Sequence, residues 1–271
     1  MTADKIASAR ARCRRYRRRI LEVSQKLPAL HIAAAFSCLE VIDCCYFELM
    51  QRENEPKDTF LMSKGHGAMA LYTVLEALGI MSPKELDSVC QTGSRFGGHP
   101  DMGRPGVEIS SGSLGHGLPI AVGLARGDRE LGLERTIFLL MGDGEMMEGS
   151  VWESLLLAPS LGITNIVAIV DHNKSIARGS IPINHPNLMP LGPKIASFGW
   201  EVAEADGHSQ AEIVQAIGSR SRTRPFALVA HTVKGKGVSY MENQPIWGYR
   251  SPNKDEFALA MTELSDTGGS T

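Results

Sequence analysis

Thr136-Ile137-Phe138-Leu139-Leu140-Met141-Gly142-Asp143-Gly144-Glu145 and Asn165-Ile166-Val167-Ala168-Ile169-Val170-Asp171-His172-Asn173 decide the fold. Each opens with a short apolar run that does not alternate and closes in a polar cluster. Such runs are strands buried on both faces, as in a parallel sheet covered by helices. Ser150 to Leu161, between them, has a helical pattern and supplies the crossover. Phe60 to Met62 and Phe226 to Ala230 are two more apolar runs. Helices are expected over Phe36 to Met50, Ala68 to Leu78 (stopped by Gly79), Ser113 to Leu131 and Glu212 to Arg222. Gly93 to Gly112, rich in Gly and Pro, is expected to be irregular. The fold class expected is therefore α/β, a parallel sheet sandwiched by helices, in one domain over residues 1–271 with a frayed tail from about 266.

The chain has 271 residues, 43% hydrophobic and 21% charged, which is ordinary for a globular domain and excludes disorder over most of its length. No apolar run reaches transmembrane length, and the Arg-rich N-terminus has no apolar signal core. A net charge of −2 gives no reason to expect a nucleic-acid partner. The arginines between Arg10 and Arg19 read as the wet face of a first helix whose apolar side is Ile6, Ala9, Cys13, Tyr16, Ile20, Val23 and Leu27. Five cysteines without a Cys-x-x-Cys pair argue against a disulfide framework or a zinc site, and for a reducing, cytoplasmic setting.

Open parallel sheets bind ligands at the carboxyl ends of their strands. If the two quoted strands are neighbours joined by a right-handed crossover, Gly142-Asp143-Gly144-Glu145 and Asp171-His172-Asn173 face each other there. Asp143 then offers a carboxylate oxygen, Asn173 an amide oxygen, and a backbone carbonyl near Ser175 a third. Hard oxygens of this kind suit Mg2+, or Ca2+ or Mn2+ in its place, with phosphate oxygens completing the shell. Gly142 and Gly144 let the backbone approach a phosphate, and the following helix points free N–H groups at it. A lone Gly-Asp-Gly is a common turn. The whole arrangement of strand, Gly-Asp-Gly, helix, strand and Asn is much rarer, and predicts a magnesium–diphosphate cofactor.

At these residues the chain resembles the thiamine diphosphate enzymes. The resemblance narrows with Ser63-Lys64-Gly65-His66-Gly67, Gly97-Gly98-His99-Pro100, Gly112-Ser113-Leu114-Gly115-His116-Gly117 and Gly142-Asp143-Gly144-Glu145-Met146-Met147-Glu148-Gly149. In this order they are similar to the N-terminal part of transketolases, over about residues 5 to 260. The resemblance implies transfer of a two-carbon ketol unit from a ketose (phosphate) to an aldose (phosphate) on thiamine diphosphate. It implies Asp143, Asn173 and the Ser175 carbonyl as metal ligands. Cofactor contacts implied are His66, Gly112, Ser113, Leu114, Gly142, Asp143, Gly144, Glu145 and Asn173. Catalytic roles are implied for His31, His66 and His99: His66 contacts the cofactor phosphate and the substrate, and His99 and His31 meet the substrate's hydroxyls and move protons. Glu148 is implied at a contact between subunits that links paired sites.

One departure stands out. Related chains carry a histidine in the loop that here reads Gln244-Pro245-Ile246-Trp247-Gly248-Tyr249-Arg250, and Tyr249 or Arg250 is left to take its place. Lys234 and Lys236 are further candidate phosphate contacts. Full transketolases also continue into a pyrimidine-binding domain, and no second set of strand–helix units follows Met261. The resemblance therefore implies a split enzyme. This chain is the N-terminal subunit, a separate C-terminal subunit supplies the pyrimidine-binding domain, and two copies of each form a heterotetramer. An exposed apolar face is expected. The alternatives are a subunit of another thiamine diphosphate enzyme, of the 2-oxo acid dehydrogenase or decarboxylase type, and a catalytically silent cofactor-binding module.

Overall fold

The computed structural model describes residues 1–27, 29–176 and 179–265. Its strands are β1 (Thr59–Met62), β2 (Ile137–Gly142), β3 (Ile166–His172), β4 (Ser175–Ile176), β5 (Gly179–Ser180), β6 (Glu201–Asp206) and β7 (Phe226–His231). Five of them form one sheet in the order β1-β2-β3-β7-β6, every pairing parallel. β4 and β5 make a small antiparallel hairpin beyond the end of β3. The two strands first read from sequence are neighbours, with Gly142 opposite Asp171. Each is buried along its whole length, which is why neither alternates in sequence.

The helices are α1 (Ala3–Ser24), α2 (Ile32–Phe36), α3 (Leu39–Cys44), α4 (Ala68–Ala77), α5 (Pro83–Asp87), α6 (Gly117–Leu131), α7 (Gly149–Ser160), α8 (Ile181–Asn184), α9 (Leu191–Ser197), α10 (Gln210–Gly218) and α11 (Lys254–Glu263). They split the core into two layers. Phe138 and Leu140 of β2 pack with the cores of α1 to α4 and α10. Ile137, Leu139 and Met141 of the same strand pack with α6, α7 and α9. Alternate side chains thus feed opposite layers of a helix–sheet–helix sandwich.

Four expectations need correction. The second helix does not run from Phe36 to Met50. It begins at Ile32, breaks at Ser37 and Cys38, resumes as α3 and ends in a π-helical turn over Cys45–Leu49. The break turns the Ser37 hydroxyl onto Asp171 beneath the site. The helix expected from Ser113 starts at Gly117, because Gly112 and Gly115 adopt positive φ and hold the preceding residues as a loop. The helix expected to reach Arg222 ends at Gly218. The arginines of α1 are not all solvated: Arg17 is buried against Glu40, and Arg12 pairs with Asp43. The edge strand β6 and helix α11 lie outside the expected elements. β6 reads Glu-Val-Ala-Glu-Ala-Asp and is only partly buried, so no apolar run marks it. The tail expected to fray from about 266 lies outside the described residues.

Among the described residues no helix is long and apolar enough to cross a membrane. Trp200 is 1% exposed and donates its indole N–H to the Leu155 carbonyl at 2.9 Å, joining the approach to β6 to α7. Trp200→Ala opens a cavity in this layer and should lower unfolding stability by about 3–5 kcal/mol in denaturant titrations.

Candidate active site

The carboxyl ends of β1, β2, β3 and β7 open into a cavity of about 450 Å3. Lys64 and His66 enter it after β1, Gly142 to Glu145 after β2, Asn173 and Ser175 after β3, and Lys234 after β7. His31 comes from the N-terminal end of α2, and His99, Gly112 and Leu114 from the irregular segment. Glu148, at the start of α7, lines it with Met147. Every catalytic, cofactor, metal and interface residue singled out from the sequence lines this cavity except Ser113, which is exposed and does not. Of the further candidates, Lys236 stays outside and pairs with Glu242 at 3.5 Å. A larger cavity of about 680 Å3 lies at the opposite strand ends. Its Arg129 and Arg220 donate to carbonyls at the C-terminal ends of α7 and α10, where a cation suits the helix dipole.

Beneath the first cavity lies a buried ion pair that no sequence motif announces. Lys64 and Asp171 are both fully buried, and the ammonium bonds the carboxylate directly. Asp171 also accepts from the Ser37 hydroxyl at 2.6 Å, the Asn173 amide at 3.1 Å and the Thr232 hydroxyl. Burial works against the ionised acid, and Lys64 with these donors outweighs it, so the carboxyl sits below its usual range. The Asn173 Nδ2 is thereby tied down, which leaves the amide oxygen for other partners. That oxygen accepts the Ser175 N–H at 3.0 Å across a turn in which Lys174 has φ 61°. The signal is present in the sequence: Lys64 and Asp171 sit inside quoted motifs, but nothing in one dimension pairs them.

Asp143 is 1% exposed. Its oxygens accept from the Gly144 N–H at 2.8 Å, the Lys174 N–H at 2.6 Å and the Nδ1–H of His172 at 3.0 Å. Burial raises this carboxyl above its ordinary value, the His172 bond opposing and the Asp171 charge adding. No lysine or arginine pairs with it among the described residues. Lys234 presents the converse. It is 7% exposed, lines the cavity, and its ammonium has no hydrogen-bond or ion-pair partner among the described residues. Burial and then the charge of Lys64 lower its pKa. The site thus holds a buried anion short of a cation and a buried cation short of an anion. No group of three His, Cys, Asp or Glu side chains is placed to hold a metal ion among the described residues. The oxygen donors are one carboxylate, one amide and a backbone segment at Ser175, a hard set that fits a divalent ion carrying phosphate oxygens.

His31, His66 and His99 form a ring cluster. The His31 centroid lies 6.1 Å from that of His66 and 5.7 Å from that of His99, both edge-on. His31 donates Nδ1–H to the Gly248 carbonyl at 2.8 Å, since a carbonyl only accepts, leaving Nε2 as the proton acceptor of the neutral ring. Burial lowers the His31 pKa. Burial, Lys64 and His31 push His66 down to about 3, so it is neutral at pH 7. Gly65 is required here, because a Cβ would come within 2.9 Å of the His99 ring and 2.7 Å of the Ser111 hydroxyl.

Glu145 lines the cavity, but its carboxylate is spent on joining loops. It accepts from the Ser63 hydroxyl, the Gly115 N–H at 2.8 Å and the Gly142 N–H at 3.3 Å. Gly115 brings its loop against Glu148, where a Cβ would lie 2.6 Å from that of Glu148. In the loop lacking the expected histidine, Arg250 turns to Glu256 and lies 4.4 Å over the Trp247 ring, and it is Tyr249 that faces the cavity.

Residues 31–255 match the family described as transketolase, thiamine diphosphate binding domain. An apulose-4-phosphate transketolase subunit of Phocaeicola vulgatus is 37% identical over 257 residues, covering 92% of this chain and 91% of that protein. The 6-deoxy-6-sulfo-D-fructose transketolase subunit of a Clostridium species is 34% identical, covering 93% of this chain and 94% of that one. Human transketolase is 32% identical over 223 residues, and the match covers 80% of this chain but 36% of that longer protein. The crystal structure of Campylobacter jejuni transketolase superimposes with a TM-score of 0.88 at 24% identity, covering 97% of this chain and 43% of that one. The chain belongs to the transketolase family and comprises its thiamine diphosphate binding domain.

Proposed function

We propose that this chain is the N-terminal subunit of a two-subunit transketolase, holding thiamine diphosphate through Mg2+ and transferring a two-carbon ketol unit from a ketose to an aldose. The observation that carries this reading is the pair of unmatched charges in one cavity, Asp143 without a cation and Lys234 without an anion. A magnesium–diphosphate answers both. Asp143, Asn173 and the Ser175 carbonyl hold the metal, Gly142 and Gly144 give the diphosphate room, and Lys234 meets its negative charge. When bound, thiamine diphosphate supplies the electron sink that allows the bond beside a ketose carbonyl to break. His31, with Nδ1–H committed to Gly248, offers Nε2 to a substrate hydroxyl. His66 and His99 border the same space and bind or exchange protons with the sugar's oxygens. Gly112 and Leu114 line the aminopyrimidine side.

Half of the cofactor's surroundings come from a partner. In support, α6 and α7 expose Ile120, Leu131, Leu156 and Leu157, and Met147 and Glu148 stand exposed at the cavity edge. Three relatives of about the same length carry subunit designations. We assign this face to assembly as a heterotetramer, two copies of each subunit, with Glu148 at the contact. All five cysteines are free, in keeping with a cytoplasmic enzyme.

The deciding experiment mixes this chain with the subunit that carries the pyrimidine-binding domain and follows ketol transfer in the presence of thiamine diphosphate and Mg2+. Activity only in the mixture is expected, whereas full activity of this chain alone, or none in the mixture, rejects the reading. Calorimetry on the complex should show thiamine diphosphate affinity weakened about 10- to 100-fold by Lys234→Met, the loss of one charge-assisted contact. Lys64→Met leaves Asp171 buried without its cation and should cost about 3–5 kcal/mol of stability, while the double variant Lys64→Met with Asp171→Leu recovers most of it without recovering cofactor affinity. The depressed His66 pKa means the unfolded chain binds a proton that the folded chain refuses. Stability of the cofactor-free chain should therefore fall as pH drops from about 6.5 toward 4, and His66→Asn should flatten that slope in thermal melts.

A further inference from the structure

The segment Pro245–Gly248 is a 3-10 turn anchored by a buried Trp247. Trp247 is 3% exposed, donates its indole N–H to the Tyr240 carbonyl at 2.9 Å, and packs its ring 5.0 Å from that of Tyr240. The two residues that follow part company. Arg250 is withdrawn onto Glu256 and the Trp247 face, so the loop delivers no cation to the cavity. Tyr249 lines the cavity, with its ring edge-on to His31 at 4.7 Å. Yet it is 58% exposed, and its hydroxyl has no hydrogen-bond partner among the described residues. A large aromatic ring and a free phenol, fixed at a cavity mouth by a buried anchor, are surfaces built for a ligand.

The chemistry of that ligand follows from what surrounds the ring. The cations of the cavity, Lys64 and Lys234, enter at the strand ends and are buried. The mouth at Tyr249 is neutral: an aromatic face, a phenol, the His31 ring and the Gly248 backbone, whose carbonyl is occupied by His31. Such a wall suits an uncharged polyol segment, whose C–H face stacks on the ring and whose hydroxyl meets the phenol. It gives no grip to an anion.

Building on the transketolase reading, we infer that Tyr249 is a specificity-determining residue that contacts the hydroxylated carbon chain of the ketose beyond the transferred two-carbon unit. An anionic end of the substrate finds no cation at this wall. Ring and hydroxyl together account for about a tenfold preference.

The test uses the two-subunit enzyme with a panel of ketose phosphates and, as a donor with no sugar chain, 3-hydroxypyruvate. Tyr249→Ala should raise KM for the ketose phosphates about tenfold, and Tyr249→Phe by a smaller factor. Both should leave KM for hydroxypyruvate and the affinity for thiamine diphosphate within about twofold of the wild type. Arg250→Ala should leave the ketose KM unchanged. A parallel rise for hydroxypyruvate, or a loss of cofactor affinity, would show that Tyr249 only supports His31 and overturns the inference. Unchanged ketose KM in Tyr249→Ala, or a tenfold rise in Arg250→Ala instead, overturns it too. Turnover of hydroxypyruvate but of no longer ketose by the wild type counts against Tyr249 alone, whereas a wild-type pair inactive on every donor sinks the transketolase reading with it.

Discussion

The site rests on one buried ion pair. Lys64 and Asp171 are removed from water together at the tips of β1 and β3, where neither charge would survive alone. Asp171 gathers Ser37, Asn173 and Thr232 around itself, so α2 and the ends of β3 and β7 are fixed relative to one another by a single carboxylate. The Asn173 side chain owes its orientation to that hub. A hydrophobic pair of the same volume would hold the strands equally well but would not aim an amide oxygen.

A second carboxylate performs the same service on the other side. Glu145 links Ser63, Gly115 and Gly142, and so ties the loops after β1 and β2 to the glycine-rich segment before α6. The glycines of these loops matter through proximity: at Gly65, Gly115 and Gly117 a Cβ would intrude within 3 Å of a neighbouring side chain. Between these two struts lie Asp143, hydrogen-bonded but paired with no lysine or arginine, and Lys234, whose ammonium has no partner among the described residues. Asp171 is held ionised by Lys64, whereas Asp143 and Lys234, of opposite charge, line the same cavity without an ion-pair partner of the lysine, arginine or acidic kind among the described residues.

The arginine-rich first helix has a part in this arrangement. Arg17 donates to the Lys236 carbonyl at 2.7 Å and to the Phe36 carbonyl at 3.1 Å while paired with Glu40. Glu40 also accepts from His208, whose other ring nitrogen accepts the Val233 N–H at 2.8 Å. Together with the Gly235 N–H on the Ala33 carbonyl, these bonds set the backbone on both sides of Lys234. Periodicity alone assigns the arginines of that helix to solvent. A buried guanidinium follows the same spacing as an exposed one and differs only in what packs against it.

The sequence by itself determined the parallel sheet, the neighbouring tips of β2 and β3, and the residues that meet there. Strand burial is written in unbroken apolar runs, and Gly-Asp-Gly and Asn stand at fixed distances from them. It also carried the family, through motifs whose order survives divergence. Only the tertiary structure decided that Lys64 answers Asp171, that Glu145 is a strut, that Ser113 stays outside the cavity, and that Tyr249 rather than Arg250 faces it. These outcomes depend on which charges share a low-dielectric pocket and which side chain finds a nearer partner. Arg250 was withdrawn by Glu256 and Trp247, groups within its own loop and the helix beyond, whose competition no local pattern records.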